Sequence, residues 1–429
     1  MKIAVLGAGL TGLELGRNLK ELGKDFVILE KEPQIGGLCR TNKTGRFHWD
    51  FAVHAMYSRN KTVTDHFRSL PLDYEYLNRN VKIFHRDKFI LDYPFEIGIK
   101  NLPLLDKLEC IGSYLAAHMK DAKQYSNLED LIYQHFGKGI AKHFMVPYNN
   151  KIWNCKLSEI SYELVSLRID PPPFIDFILS VLGKNVSART YQEKFIYPKK
   201  GIQELINYTA KGIEDNILLN WDVEKLVKNN GIWTIISGSG MRIEADTVIS
   251  TIPLVEILKK IDIEGVKKEY NLFKWNNTFF VMIGLKNGYN FNVIGDCHWV
   301  FFKEKEVFYR TTLMHNFSAE FAPALVAEIT QKGDILNKSE EEIKNLVIKD
   351  LIQKGIIGSI NQIEAADIKL IQYTYPIPTV GLKEIKENIR NVLEKHNLFL
   401  LGRNGNWDYL NMDEVILNIQ RFCARKFCA

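Results

Sequence analysis

The chain has 429 residues, too many for one ordinary core, so two or three lobes are expected, one of them assembled from separated segments. With 46% hydrophobic and 25% charged residues it is neither disordered nor fibrous, and no apolar run reaches the roughly 18 residues of a membrane span. The net charge of +5 comes from lysines mixed among acidic residues, which is a solvated surface and not a basic track for nucleic acid.

The chain enters a strand almost at Met1, leaving no room for a signal peptide, so a cytoplasmic protein without membrane insertion is expected. "KIAVLGAGLTGLELGRNLKELG" reads as a short apolar strand, a glycine turn and an amphipathic helix, with a second strand, "DFVILE", behind it. Gly7, Gly9 and Gly12 form GxGxxG in the context that gives the pattern meaning. Gly7 permits the tight turn, Gly9 lets backbone approach a pyrophosphate, and Gly12 lets helix and strand pack closely. The pyrophosphate would sit on the positive helix N-terminus. Glu30 ends the second strand, where a carboxylate can accept hydrogen bonds from a ribose diol. Just beyond it, "EKEPQIGGLCRT" supplies Gly36, Gly37 and Arg40, a glycine pair and arginine common where FAD runs along the sheet edge.

Residues 60–190 are mostly helical in period, with "LLDKLECIGSYLAAHM", "NLEDLIYQHFGKGIAKHFM" and "PFIDFILSVLG" as helices and "DPPP" as a breaker. "GIQELINYTAKGI" is a further helix and "DTVISTIP" a strand ending in a turn. Residues 270–315 and 365–377 are β-like and aromatic, separated by the helical "EEIKNLVIKDLIQKG". Last come "LFLL" and then "GRNGNWDYLNMDE" (402–414), whose glycines, arginine and aromatics between a strand and a helix suit a ligand better than a core. The fold class is therefore α/β: a FAD-binding Rossmann lobe with a helical insertion and an antiparallel or mixed sheet. Its segments are expected at 1–90, 193–255 and 386–429 for the FAD lobe, 91–192 for the helical domain and 256–385 for the sheet domain. The six cysteines form no CxxC pair and no histidine stands at zinc-finger spacing, so neither a metal site nor a disulfide framework is indicated, and a reducing compartment fits.

Taken in order, "GAGLTG", "GGLCRT", "LDYPFE", "MVPYNNKIW", "LRIDPP", "YPKKGI", "STIP", "FYRTTLMHN", "YTYPIPT" and "GRNGNWDYLNMD" resemble the flavin-dependent UDP-galactopyranose mutases, within the superfold of amine oxidases and protoporphyrinogen oxidases. The likeness covers nearly the whole chain. It implies that Tyr93, Phe95 and Glu96 lie beside the base, and that Asn149 and Trp153 line the nucleotide end. It also implies that Arg168 and Arg310 grip the diphosphate as planar bidentate forks. Arg310 lies in an apolar strand-like run, where an unpaired charge would be costly, so an anionic partner is expected for it. By the same resemblance Gly402, Arg403, Asn411, Met412 and Asp413 lie at the flavin, while Tyr375 and Tyr409 reach the substrate, Tyr409 at a phosphate oxygen.

The implied cofactor is FAD, active when reduced, with NAD(P)H as an external reductant. The implied partner is a nucleotide-diphosphate sugar, and a homo-oligomer is allowed. The implied reaction is isomerisation of UDP-galactopyranose to UDP-galactofuranose, or of a close analogue, for polysaccharide biosynthesis. It runs through a reduced-flavin N5 sugar adduct with no net redox change. A flavin oxidase of the amine oxidase or protoporphyrinogen oxidase type is the alternative. Two positions depart from the family pattern. Ala52 and Val53 stand where a glycine pair commonly precedes a flavin-facing histidine, here His54, and Glu96 stands where glutamine is common. A carboxylate cannot donate a hydrogen bond unless protonated, so either Glu96 points away from the base or the base is not uracil.

Overall fold

The computed structural model describes residues 1–86, 89–119, 124–163, 174–182, 184, 194–266 and 269–427. Its first unit is β1 (Lys2–Leu6), α1 (Leu10–Glu21) and β2 (Asp25–Leu29), with β1 and β2 parallel and Leu6 opposite Leu29. Both strands are continuous apolar runs because both faces of their sheet are covered. Along β1 the faces alternate: Ile3 and Val5 point into the largest core cluster with α1, while Ala4 and Leu6 pack with Trp233 and Leu398. The five-stranded parallel sheet runs Leu398–Leu400, Thr247–Ser250, β1, β2, Ile217–Leu218. One lobe is thus built from the two ends and the middle of the chain, the α/β Rossmann arrangement expected.

A seven-stranded sheet lies beside it in the order Ile363–Ile377, Lys274–Leu285, Ala324–Thr330, Arg310–Leu313, Trp299–Phe302, Val81–His85, Phe89–Asp92. Most of it falls in the aromatic β-like stretches. The exceptions are Ala324–Thr330, Val81–His85 and Phe89–Asp92, of which Val81–His85 pairs parallel with Trp299–Phe302 and folds back on Phe89–Asp92. Residues 60–190 therefore contain strands that a helical period conceals, and Val81–His85 belongs with the second sheet although it lies within the first expected segment. Tyr74–Asn78 is another such strand and pairs with Lys194–Pro198. Strands this short show too few alternations to stand out. The three-stranded meander of Val223–Asn229, Ile232–Ser237 and Arg242–Ala245 was likewise not foreseen.

The helical insertion packs Leu104–His118 against a chain of short helices from Leu128 to Ile152, two of which, Ile132–Phe136 and Ala141–Met145, are π-helical. Such widened turns accommodate residues that tertiary contacts place off the α-helical register. Among the described residues no helix is long and apolar enough to cross a membrane.

Candidate functional site

The β1–α1 turn carries Gly7 at φ +98°. A Cβ on Gly12 would stand 1.9 Å from the Gly7 carbonyl oxygen, so only glycine allows α1 to start this close to β1. Gly9 is the N-cap of α1 and offers no side-chain acceptor, which leaves the first amides of a 12-residue helix for an outside anion. Gly37 faces Gly9 across a bare backbone contact, with a Cβ there 3.3 Å from Gly9 Cα, and the Gly36 amide donates to Ala8 O at 2.8 Å. Arg40 Nε donates to Gly37 O at 2.8 Å. Glu30 is buried, its two oxygens accepting from the amides of Ala8 at 2.7 Å and Glu32 at 2.9 Å, and its remaining lone pairs are the ones a diol could use.

The C-terminal turn closes onto the same place. A Cβ on Gly402, at φ +79°, would meet Thr11 Oγ1 at 2.3 Å, and one on Gly405 would meet Ser250 O at 2.5 Å. Asn411 donates to Tyr57 Oη at 2.6 Å and Ser58 donates to Asp413 at 2.9 Å, which fastens the turn to the loop carrying His54. The Asn411 amide donates to Glu414 at 2.7 Å, at the start of helix Met412–Phe427. Arg403 Nε and Asn404 Oδ1 are buried without partners. Uncapped helix amides, facing glycine turns and these orphaned polar atoms fit an elongated dinucleotide such as FAD.

Next to this groove three arginines and a set of rings converge. Arg310 forms a two-pronged ion pair with the fully buried Glu328, Nε to Oε1 and Nη2 to Oε2 both at 2.7 Å, and Nη2 also reaches Tyr375 Oη at 3.1 Å. Burial opposes its charge, but Glu328, Tyr375 and Tyr309 more than offset this and hold Arg310 well above the usual range. The anionic partner expected for Arg310 is thus within the protein, leaving Nη1 as the free edge of the fork. Arg403 lies 4.4 Å over the Tyr409 ring and 5.3 Å over that of Tyr375, its nitrogens held by Leu410 O and Thr374 O. The Tyr375 and Tyr409 rings stack at 5.7 Å, with Trp153 edge-on to both. Arg79 lies over Tyr93 and Trp299 at 5.4 and 5.6 Å, and burial, with Arg310 nearby, lowers its pKa.

His54 faces this charge. Its ring is half-buried with Nδ1 unpartnered, and burial, then Arg403 and Arg310, push its pKa down to about 3, so it is neutral at physiological pH. Before it Ala52 sits at φ +52°, a left-handed conformation that favours glycine. Relief of that strain, worth about 1–2 kcal/mol, outweighs the roughly 0.4–1 kcal/mol of added unfolded-state freedom. Ala52→Gly is therefore expected to stabilise the protein by about 0.5 kcal/mol, seen as a higher urea midpoint at unchanged m-value.

The sequence-expected residues divide by location. Arg168 lies outside the described residues. Phe95 is fully buried, stacked on Phe144 at 5.3 Å, with Tyr148 stacked beyond at 5.0 Å; it supports the wall that Tyr93 and Phe301 complete. Asn149 and Trp153 are buried and bonded to each other at 3.1 Å, and Asn149 also donates to Met145 O. Glu96 is 3% exposed, and burial raises its carboxyl to about 7, so about half of it carries a proton at neutral pH and can donate. Trp407 is a core residue at φ +55°, packed on Phe273, Trp275 and Tyr373.

Arg79, Tyr57, Tyr148 and Glu328 escaped sequence reasoning, as did the buried Asp50. The last accepts from Tyr197 at 2.6 Å and Thr41 at 2.7 Å, and burial raises it to about 7. Tyr197 stands in "YPKKGI", the one signal that pointed here.

Comparison with known proteins adds the following. Residues 5–70 match the profile of NAD(P)-binding Rossmann-like domains, and 174–268 that of flavin containing amine oxidoreductases. Over 244 residues, 54% of the chain, it is 23% identical to UDP-galactopyranose mutase of Mycoplasma genitalium, covering 58% of that protein. A 58-residue stretch, 13% of the chain, is 43% identical to the L-glutamate oxidase precursor of Streptomyces diastatochromogenes and covers 9% of it. These matches span less than two thirds of either curated relative. A crystal structure of reduced UDP-galactopyranose mutase superposes with TM-score 0.91 at 23% identity over 100% of this chain and 94% of that one. A putative protoporphyrinogen oxidase from Exiguobacterium superposes with TM-score 0.78 at 15% identity, over 100% and 98%. The resemblance read from the motifs therefore extends to the whole fold.

Proposed function

We propose that this chain is a flavin-dependent mutase that interconverts the pyranose and furanose forms of a nucleotide-diphosphate sugar, UDP-galactose or a close analogue. The observation that carries this reading is the convergence of Arg79, Arg310 and Arg403 with Tyr93, Tyr375 and Tyr409 beside the glycine turns. An oxidase of an apolar amine has no use for three partly buried guanidinium groups, whereas a diphosphate does.

FAD would be held by the α1 amides, Gly9, Gly36, Gly37, Glu30 and Arg40 at one end and by Arg403 and the 411–413 turn at the other. When reduced it would supply the electron-rich centre that lets an anomeric bond break and re-form with no net redox change. The chain's own residues do the rest. Arg310 through Nη1, with Arg168 as the second arginine implied by the motifs, binds and orients the diphosphate. Tyr375 and Tyr409 donate to its oxygens. His54, neutral, offers an acceptor without adding to the positive charge. Tyr93 and the ring wall behind it exclude water from the base. NAD(P)H is the proposed reductant, and furanose units for a polysaccharide are the proposed product.

Glu96 resolves its own departure if it acts in protonated form, because a neutral carboxyl donates as a glutamine amide does. UDP affinity is then expected to fall up to about tenfold per pH unit above 7, and Glu96→Gln to flatten that dependence. Titrations of UDP, CDP and GDP across pH check both, and a pH-independent preference for another base would reassign the carrier.

The deciding experiment is an anaerobic chromatographic assay of UDP-galactopyranose and UDP-galactofuranose with reduced and oxidised protein side by side. Interconversion confined to the reduced sample is expected. Oxygen consumption with an amine or porphyrinogen instead, and no UDP binding, would favour the oxidase, the reading that the amine oxidoreductase match over 174–268 supports.

A further inference from the structure

Apart from the arginine cluster, α1, the helix Lys61–Ser69 and the helix Met412–Phe427 line a cavity of about 220 Å³. Glu14 and Arg17 reach it from α1, His66 from the second helix, and Ile416 and Ile419 from the third. Glu14, Ile416 and Ile419 are buried while Glu21, also in the lining, is exposed, so the cavity opens to solvent at the C-terminal end of α1.

Its polar groups are not matched to one another. The Glu14 side chain is 8% exposed, yet its carboxylate accepts no hydrogen bond from a described residue. His66 Nε2 stands 3.7 Å from Glu14 Oε1, beyond hydrogen-bond reach, and is itself a buried atom without a partner among the described residues. Arg17 follows Glu14 by three residues, a spacing at which opposite charges on a helix ordinarily pair. It makes no ion pair among the described residues, its guanidinium lies 5.3 Å over the Tyr208 ring, and its buried Nη1 has no acceptor there. A buried carboxylate, an imidazole nitrogen and a guanidinium edge left open at one place call for a ligand that answers all three.

We propose that this cavity binds the zwitterionic head of a small α-amino acid. The separation of 3.7 Å is too long for Glu14 and His66 to bond each other. Two acceptors so spaced can nonetheless both lie about 2.9 Å from one ammonium nitrogen between them, with His66 Nε2 as the unprotonated ring nitrogen. Arg17 Nη1 then takes the ligand carboxylate, and the Tyr208 ring holds the guanidinium plane. A simple anion would meet the carboxylates of Glu14 and Glu21, and a simple cation would meet Arg17, so a molecule carrying both charges suits the set. Ile416 and Ile419 suit a short apolar side chain, and the volume is several times the roughly 30 Å³ share of one water. None of these residues belongs to the proposed mutase chemistry, so the two readings stand or fall separately.

The test titrates the full chain as purified with glycine, L-alanine, L-serine and L-valine by calorimetry, with acetate and ethylamine as single-charge controls. At least one amino acid is expected to bind once per chain with Kd below about 1 mM and to raise the thermal midpoint, while both controls leave it unchanged. Arg17→Gln and Glu14→Gln should each weaken that binding at least about tenfold. Arg68→Gln, exposed on the helix Lys61–Ser69 and outside the cavity lining, should not change it. Arg17 is only half-buried, so its variant carries the test even if Glu14→Gln proves unstable. No amino acid binding tighter than about 1 mM, equal binding of acetate or ethylamine, or an affinity unchanged in Arg17→Gln would overturn the proposal and leave solvent as the partner of these groups.

Discussion

Arg310→Ala is expected to abolish turnover and to cost about 3–5 kcal/mol of stability, the scale for leaving one member of a buried ion pair behind. Arg310 and Glu328 are direct cross-strand partners in the middle of the seven-stranded sheet, and Glu328 is completely buried. Without the guanidinium, Glu328 retains the Tyr309 hydroxyl at 2.9 Å and must either stay charged with that one donor or take up a proton. Protonation is the cheaper course, so its folded pKa rises above its unfolded one. A carboxyl raised in that way costs stability above its unfolded pKa, so the variant's deficit should be small in acid and grow as pH rises. Urea unfolding at several pH values measures this. Arg310→Met combined with Glu328→Gln should recover most of the stability, because no buried charge remains, yet stay inactive. If Arg310→Ala instead unfolds like the parent, Glu328 does not depend on the pair, and the arginine's role is confined to the ligand.

Gly12→Ala should be nearly as severe by a different route. Its Cβ would fall 1.9 Å from Gly7 O and 3.1 Å from Gly7 C, both backbone atoms. That carbonyl cannot swing aside freely, since Thr251 Oγ1 donates to it at 3.3 Å and to Leu6 O at 2.8 Å. The start of α1 must therefore move off β1, at a cost of about 2–3 kcal/mol. The displaced amides no longer converge on a pyrophosphate, and flavin retained through purification, read from its visible absorbance, should fall more than about tenfold. Gly238→Ala, where an added Cβ meets nothing within 4 Å, is the control and should stay within about 0.5 kcal/mol of the parent with its flavin intact. Full flavin content in Gly12→Ala would mean that the helix start can be rebuilt without its glycine.

Much of this protein was legible as a linear string. Gly7, Gly12, Gly36 and Gly37 were legible as turn glycines because local sterics favour glycine there: a positive φ or a close backbone contact disfavours any other side chain. The helices of the insertion and the aromatic strands of 270–315 were legible for a similar reason, since a periodic apolar face is a property of neighbouring residues. The strand-to-helix turn at 402–414 was marked as better suited to a ligand than to a core, and Trp407 within it proved to be core.

What remained hidden was decided across the sheet and not along the chain. That Glu328 neutralises Arg310 follows from strand register, which no single-sequence pattern encodes. Val81–His85, just after Arg79, joins the second sheet through a pairing with residues more than two hundred positions away. The neutral state of His54 arises from burial and from charges that three-dimensional packing brings near, and the raised pKa of Glu96 from burial. Conformational preferences are written in adjacent residues, whereas charge compensation and desolvation are sums over non-local neighbours. The conformation of the glycine turns could therefore be read in advance, but the ionisation of the groups packed near them could not.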